Sequence, residues 1–165
     1  LCSDTPAYYR RMRELFSRVE DCLAIPVIIA CSGKYQYQNT HEYFGERMVV
    51  YEQTLPLLQN CLLALGHLSL ALDQAIISNK PVLIVDDPDF TKWRRQGFRD
   101  VISRFRQRPL LNRRIRAIDI SSAMQRDKSF YLEVEKLYFR EPGVVEESKL
   151  ICLEAFWALA EKHPT

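Results

Sequence analysis

Three short polar stretches of the sequence carry side chains and turns that could hold a phosphorylated ligand. The candidate ligand-binding residues are Ser32, Gly33 and Lys34 in the SGK loop, Gly66, His67 and Ser69 in the GHLS loop, and Asp86 and Asp87 in the DDPD turn. Glycine turns expose backbone N–H groups, and Lys34 adds a positive charge that a phosphate could meet. The acidic side chains could instead bind a ribose or a divalent ion, although a turn after a strand often has this composition.

The GHLS loop, residues 66–69, is the main candidate because it opens directly onto a predicted helix. A helix N-terminus carries unpaired N–H groups and a partial positive charge, and both favour a phosphate. His67 and Ser69 could then donate hydrogen bonds to a phosphate or to a sugar hydroxyl. In the simpler interpretation Ser69 only caps its helix and His67 is a surface turn residue. Neither the SGK loop nor the GHLS loop matches a dinucleotide or P-loop fingerprint.

The elements around the GHLS loop predict a strand–helix–strand unit. Residues 62–65 and 82–85 are short apolar runs without alternation, which is typical of strands buried on both faces. Between them a helix begins after Ser69, and Asn79 is suited to closing it in the left-handed conformation. Such a unit forms a right-handed parallel crossover, which puts the GHLS loop at the carboxyl edge of the sheet.

The rest of the chain continues this alternation of helices and strands. The sequence predicts helices over residues 5–22, 53–60, 91–106, 121–139 and 145–161, and further strands over 25–31, 47–51 and 115–120, the last at a sheet edge. Residues 35–45 show no period and predict a loop. The expected fold class is therefore α/β. We expect a Rossmann-like open, mostly parallel sheet with helices on both faces, formed by residues 1–165 as a single domain.

A basic stretch could serve an anionic partner. Residues 92–116 contain ten lysines and arginines against one acid, Asp100. The expected basic face consists of Arg94, Arg95, Arg104, Arg106, Arg108, Arg113 and Arg114. An acidic protein, an anionic membrane surface or a nucleic acid could bind there, or the face could simply be solvated.

Composition sets broad limits on the class of protein. Apolar residues make up 47% of the 165 residues and charged residues 27%, which is ordinary for a globular domain, and the formal net charge is +2. The five cysteines are odd in number and never form a CxxC pair, which favours reduced thiols in a cytoplasmic setting. The sequence has no run of about 18 apolar residues such as a membrane span requires, and it predicts neither a metal nor a cofactor.

A family resemblance adds a more specific expectation. The run GHLSLALDQAIISNKPVLIV is similar to the C-terminal half of GT-B glycosyltransferases of bacterial surface-polysaccharide synthesis, in which a His-Ser-Ser/Thr turn, a helix, Gly-Lys-Pro and an apolar strand follow one another. The upstream run YYRRMRELFSRVEDCLAIPVIIACS and the downstream run YFREPGVVEESKLICLEAFWALA resemble the opening and closing elements of that half. The chain departs from the pattern at Ser32-Gly33, where His-Pro is frequent, and at Leu68, where a small residue is usual.

The resemblance implies a nucleotide-sugar-binding domain. By it, His67 and Ser69 fall where the family holds the phosphates or the sugar of its donor. The catalytic bases of such enzymes come from the N-terminal half, so these 165 residues are expected to bind the donor and not to catalyse. Two alternatives stay open: a non-catalytic α/β interaction module that uses the basic face, and a small nucleotide-processing enzyme of flavodoxin-like build.

Overall fold

The computed structural model describes residues 6–34, 36–67, 69–90, 96–98, 109–125, 129 and 131–133. The helices in these ranges are α1 (Pro6–Leu23), α2 (Thr40–Phe44), α3 (Thr54–Asn60), α4 (Leu70–Ile77) and α5 (Ala117–Met124). The strands are β1 (Ile29–Cys31), β2 (Val49–Tyr51), β3 (Ala64–Gly66), β4 (Val82–Asp86) and β5 (Leu110–Leu111). No helix in the described ranges is long and apolar enough to cross a membrane.

The strands pair in parallel throughout the described part of the chain. They form two small sheets, one with the order β1-β2 and one with the order β3-β4-β5. Parallel neighbours need crossover connections: α2 lies in the one between β1 and β2, α4 lies in the one between β3 and β4, and α3 leads from one sheet to the other. The fold is therefore mixed α/β with helices around parallel strands, which confirms the predicted Rossmann-like fold class.

The core lies where α1, α5 and β4 meet. Helix α1 packs against α2 and α5, while α3 and α4 pack against each other. The side chains of Leu15, Ile84 and Ile120 are completely buried, and the first four residues of β4 are all buried. Strand β4 is the strand that the sequence described best, because it is buried on both faces and its apolar run is uninterrupted.

Two predicted strands are shorter and more exposed than the sequence suggested. Of residues 25–31 only Ile29–Cys31 form β1, and their exposure alternates; the preceding Ile28 is 42% exposed. Strand β3 begins at Ala64, and Leu62 is 52% exposed. The prediction of burial on both faces was therefore wrong for residues 62–65, and the strand predicted over residues 25–31 is confined to its last three residues.

The predicted edge strand at residues 115–120 was also wrong. Ile115 is buried outside any strand, and α5 begins at Ala117. The Asp119 carboxylate, in the first turn, accepts a hydrogen bond of 2.8 Å from the backbone N–H of Arg116, which fixes the start of the helix. Ser121 consequently lies inside α5 and does not cap it.

Two further elements were missed, and some predictions lie outside the described residues. The predicted loop at 35–45 contains the one-turn helix α2, and β5, only two residues long, gave no periodic signal.

Of the helix predicted over 91–106, residues 96–98 are described and are helical. Most of the predicted helix over 121–139 and the whole of that over 145–161 fall outside the described ranges.

Candidate functional site

The first turns of α1 contact residues that follow strands of both sheets. Tyr8 bonds to His67, which follows β3, and Arg11 bonds to Asp87, which follows β4. The ring of Tyr9 packs edge-on against that of Tyr8, at 5.0 Å between centroids, and its hydroxyl lies 3.5 Å from the hydroxyl of Tyr37 in the segment after β1. One helical stretch thus contacts the GHLS loop, the DDPD turn and the segment that follows the SGK loop.

Asp87 stands at the centre of a buried polar network. Its carboxylate is fully buried and accepts hydrogen bonds from Arg11 Nε at 3.0 Å, from Arg11 Nη2 at 2.6 Å and from the backbone N–H of Asp89 at 2.9 Å. The amide of Asn112, directly after β5, donates a further bond to it. Hydrogen bonding to Asp87 raises the pKa of Arg11 above its ordinary value. The network joins α1 to the ends of β4 and β5.

His67 belongs to a second chain of hydrogen bonds at the same edge. Its Nδ1 lies 2.7 Å from the carbonyl oxygen of Val85, and its Nε2 lies 2.8 Å from the hydroxyl oxygen of Tyr8. The rings of His67 and Phe90 pack edge to face, with their centroids 4.7 Å apart. His67 is therefore a half-buried residue held in a defined orientation, and it is not a surface turn residue.

Ser69 caps α4, as the simpler interpretation of the sequence had it. Its backbone is extended, and its hydroxyl accepts a bond of 3.2 Å from the N–H of Ala71. The N–H of Leu72 bonds to the Ser69 carbonyl. Two N–H groups of the first turn are thus already paired, so fewer remain for a phosphate than the sequence implied. Gly66 ends β3 beside Leu72, and a Cβ there would lie 3.2 Å from the Leu72 side chain.

The SGK loop is more open. Ser32 and Lys34 are exposed, and the Ser32 hydroxyl accepts a bond of 3.3 Å from the N–H of Lys34. Glu52, which follows β2, has a left-handed backbone with φ of 56°, and its carboxylate occupies the space where a Cβ on Gly33 would lie. Only glycine fits at position 33 without moving Glu52.

The carboxyl ends of the strands therefore form two different edges. The α1-bound edge comprises His67, Asp87 and Asn112, together with Asp86, which ends β4, and Asp89. The open edge comprises Ser32, Gly33, Lys34 and Glu52. The α1-bound edge has three acidic residues, two of which, Asp87 and Asp89, pair with Arg11, and this excess of negative charge disfavours an added phosphate there. The open edge has one lysine and one glutamate, both exposed.

The basic face is described only in part. Arg113 and Arg114 are exposed in a short 3-10 turn after β5. The other members, Arg94, Arg95, Arg104, Arg106 and Arg108, lie outside the described residues.

Sequence reasoning missed the residues that α1 contributes. Tyr8 and Arg11 are three residues apart and so lie on one face of α1, a spacing that was visible in the sequence. Nothing in the sequence showed that this face would meet the carboxyl ends of the strands, and Asn112 gave no signal at all.

Comparisons with protein-family models, with curated proteins and with solved structures found no match to this chain. The function has to be inferred from the geometry of these edges.

Proposed function

We propose that this chain binds a nucleotide, with a nucleotide sugar as its full ligand, at the carboxyl ends of its parallel strands. It would then correspond to the donor-binding half of a GT-B-type glycosyltransferase. The observation that carries the proposal is that the adjacent residues Tyr8 and Tyr9 bond to His67 of the GHLS loop and to Tyr37, three residues after the SGK loop. Ligands of open α/β sheets collect where loops that follow different strands come together.

Charge decides where the phosphates of such a ligand would lie. Lys34 is exposed and can approach a phosphate from the open edge. The acidic residues Asp86, Asp87 and Asp89 would repel a phosphate at the other edge, whereas sugar hydroxyls can donate hydrogen bonds to acidic and carbonyl oxygens. We therefore place the phosphates over residues 32–34 and the sugar hydroxyls toward residues 66–69 and 86–89.

Titration calorimetry with uridine, cytidine and guanosine diphosphate sugars tests the proposal. We expect one nucleotide class to bind the wild type and Lys34→Ala to weaken its binding about tenfold, because a charge-assisted hydrogen bond is lost. Lys80→Ala is the matched control, since Lys80 precedes β4, at the amino end of a strand in the other sheet. If no member of the panel binds the wild type, the proposal is wrong. If Lys34→Ala and Lys80→Ala behave alike, the phosphates lie elsewhere.

A second candidate function is an interaction module that uses the basic face. The exposed neighbours Arg113 and Arg114 favour it among the described residues. Retention on heparin or on anionic vesicles should then fall steeply with salt, because counterions are released or charges are screened. Replacing both arginines with glutamine should reduce retention below that of the wild type at the same salt concentration. If there is no retention, or if retention does not depend on the salt concentration, the basic face is a solvated surface and this second proposal is wrong.

A further inference from the structure

Helix α4 has no charge on its outer side. Its exposed residues are Leu70, Gln74 and Ile77, which lie along one side of the helix because they are four and three positions apart. Leu70 is 79% exposed and Ile77 is 39% exposed. The remaining residues of α4 are buried or half-buried and, except for the buried Asp73, they are apolar. A helix that is apolar on all sides is typical of a protein interior, so the outer side of α4 is suited to being covered.

Helix α3 extends this uncharged surface. It packs against α4, and it exposes two apolar residues and two amides. Residues 53–79 include both helices, and the only Asp, Glu, Lys or Arg among them is the buried Asp73, although charged residues make up 27% of the whole chain. We call the exposed residues of the two helices the neutral face: Leu55, Pro56, Gln59, Asn60, Leu70, Gln74 and Ile77.

Helix α1 shows the usual alternative. It buries its apolar residues, and its exposed residues include Arg10, Glu14 and Asp21. A charged outer side of this kind is typical of a helix that faces water. The contrast between α1 and α4 within one chain indicates that the neutral face has a neighbour other than water.

The lack of charge limits what that neighbour can be. Nucleic acids and anionic membranes are bound through lysine and arginine, and the neutral face contains neither. Exposed apolar residues without charges are instead the composition found in the core of a protein–protein interface. The neighbour that fits the neutral face is therefore an uncharged protein surface.

The neutral face is complementary to itself. In a two-fold symmetric dimer each side chain near the axis lies beside the same side chain of the other copy, so a charged residue there would meet its own charge. The neutral face avoids this repulsion. Its amides, such as Gln59 and Gln74, each contain a donor and an acceptor, so each can pair with an identical amide.

We propose that the neutral face is the interface through which two copies of this chain form a symmetric dimer. The proposal is independent of nucleotide binding, which lies at the ends of the strands. Helices α3 and α4 have seven and eight residues, so they are about 10 and 12 Å long. An interface of this length is small, and we expect a dimer with a Kd in the micromolar range.

Sedimentation velocity without ligand tests the proposal. Between about 1 and 200 µM wild-type protein, the average mass should rise from that of the monomer toward twice that value. Nitrogen-15 NMR over the same range localises the contact. The backbone amide signals of α3 and α4 should shift with concentration, whereas those of α5 should stay in place. A wild type that stays monomeric, or shifts confined to other elements, would overturn the proposal.

Leu70→Glu and Ile118→Glu form a matched pair of variants. Both residues are exposed leucine or isoleucine side chains in the first turn of an eight-residue helix, and Ile118 lies on α5, which packs against α1 and β4. A carboxylate in the first turn favours a helix, so both variants should fold. We expect Leu70→Glu to raise the Kd of the dimer at least tenfold, because two like charges would meet in the interface, and Ile118→Glu to leave it unchanged.

Thermal unfolding at about 1 µM, where the wild type should be monomeric, separates a second copy from other neighbours. Leu70→Glu should then unfold at the same temperature as the wild type. A large loss of stability confined to Leu70→Glu at this concentration would mean that residues of the same chain cover the neutral face, and the proposal would be wrong. Equal effects of Leu70→Glu and Ile118→Glu on the dimer would likewise place the contact elsewhere.

Discussion

The two edges at the carboxyl ends of the strands use polar residues in opposite ways. At the α1-bound edge Asp87 and Asn112 are fully buried, and Asp87 bonds to Arg11 of α1. At the open edge Ser32 and Lys34 are exposed, and the bond from the Lys34 N–H to the Ser32 hydroxyl is local. Polar residues that follow strands are therefore not equivalent candidates for a ligand site. Asp87 and Asn112, which are buried and already paired, mainly hold the fold, whereas the exposed Ser32 and Lys34 can meet a ligand.

The largest effect should come from the α1-bound edge. Arg11→Met removes the partner of a fully buried carboxylate, so we expect the free energy of unfolding to fall by about 3 kcal/mol. Urea denaturation measures it. Arg10→Met is the control, since Arg10 is exposed on the same helix and its loss should cost less than about 0.5 kcal/mol. Equal losses for the two variants would remove the distinction between the edges.

A smaller effect should come from the other end of α1, where Glu20 ties the helix to the amino ends of β1 and β2. Its carboxylate accepts bonds from Arg47 at 2.5 and 3.0 Å and from the N–H of Val27 at 3.0 Å. Burial alone would raise the pKa of Glu20, but the bond to Arg47, together with that to Val27, lowers it below its ordinary 4.5.

The sign of this pKa shift determines the dependence on pH. Because the folded pKa lies below the unfolded one, the stabilisation is complete above the unfolded pKa and is lost as pH falls through the folded pKa. Glu20→Gln should lower the free energy of unfolding at pH 7 by about 1 kcal/mol. Between about pH 5 and pH 3 the free energy of unfolding of this variant should fall less steeply than that of the wild type. Asp21→Asn, which changes the exposed neighbouring residue, should leave the dependence of the free energy of unfolding on acidic pH as it is in the wild type. Urea denaturation across this range would contradict the prediction if both variants kept the wild-type slope.

Ser69 and Ser121 give a matched pair for helix capping. Ser69→Ala removes the bond to the N–H of Ala71 and should lower the free energy of unfolding by about 1 kcal/mol. Ser121 lies exposed inside α5, so Ser121→Ala should cost nothing measurable or stabilise slightly. Thermal or urea unfolding of the two variants decides. A loss at Ser121 that matched the loss at Ser69 would restore the helix start that the sequence predicted.

The smallest effect should appear at the open edge. Glu52 presents its carboxylate beside Gly33, where the proposed function puts a phosphate. Glu52→Gln removes the repulsion, and we expect nucleotide affinity to rise about two- to threefold, as befits an exposed charge. Glu14→Gln, which removes an exposed charge from the outer side of α1, is the control. Weaker binding by Glu52→Gln would mean that Glu52 contacts the ligand directly.

Local chemistry was sufficient for the features that depend on neighbouring residues. The amphipathic period of α1, the cap at Ser69 and the apolar run of β4 each depend on residues a few positions apart, and all three were confirmed. The left-handed backbone at Asn79, with φ of 55°, was predicted in the same way. These features follow from propensity and steric rules that hold whatever the rest of the chain does.

Only the tertiary structure decided which polar residues are available for binding. Asp86 and Asp87 are neighbours of one residue type, yet Asp87 is fully buried because Arg11, 76 positions earlier, and Asn112, 25 positions later, converge on it. The orientation of the His67 ring likewise depends on its bond to Tyr8, 59 positions away. Such partners are brought together by packing over long separations. For this reason the sequence by itself determined the fold class and the loops at the carboxyl ends, and the structure decided which of their side chains remain free for a ligand.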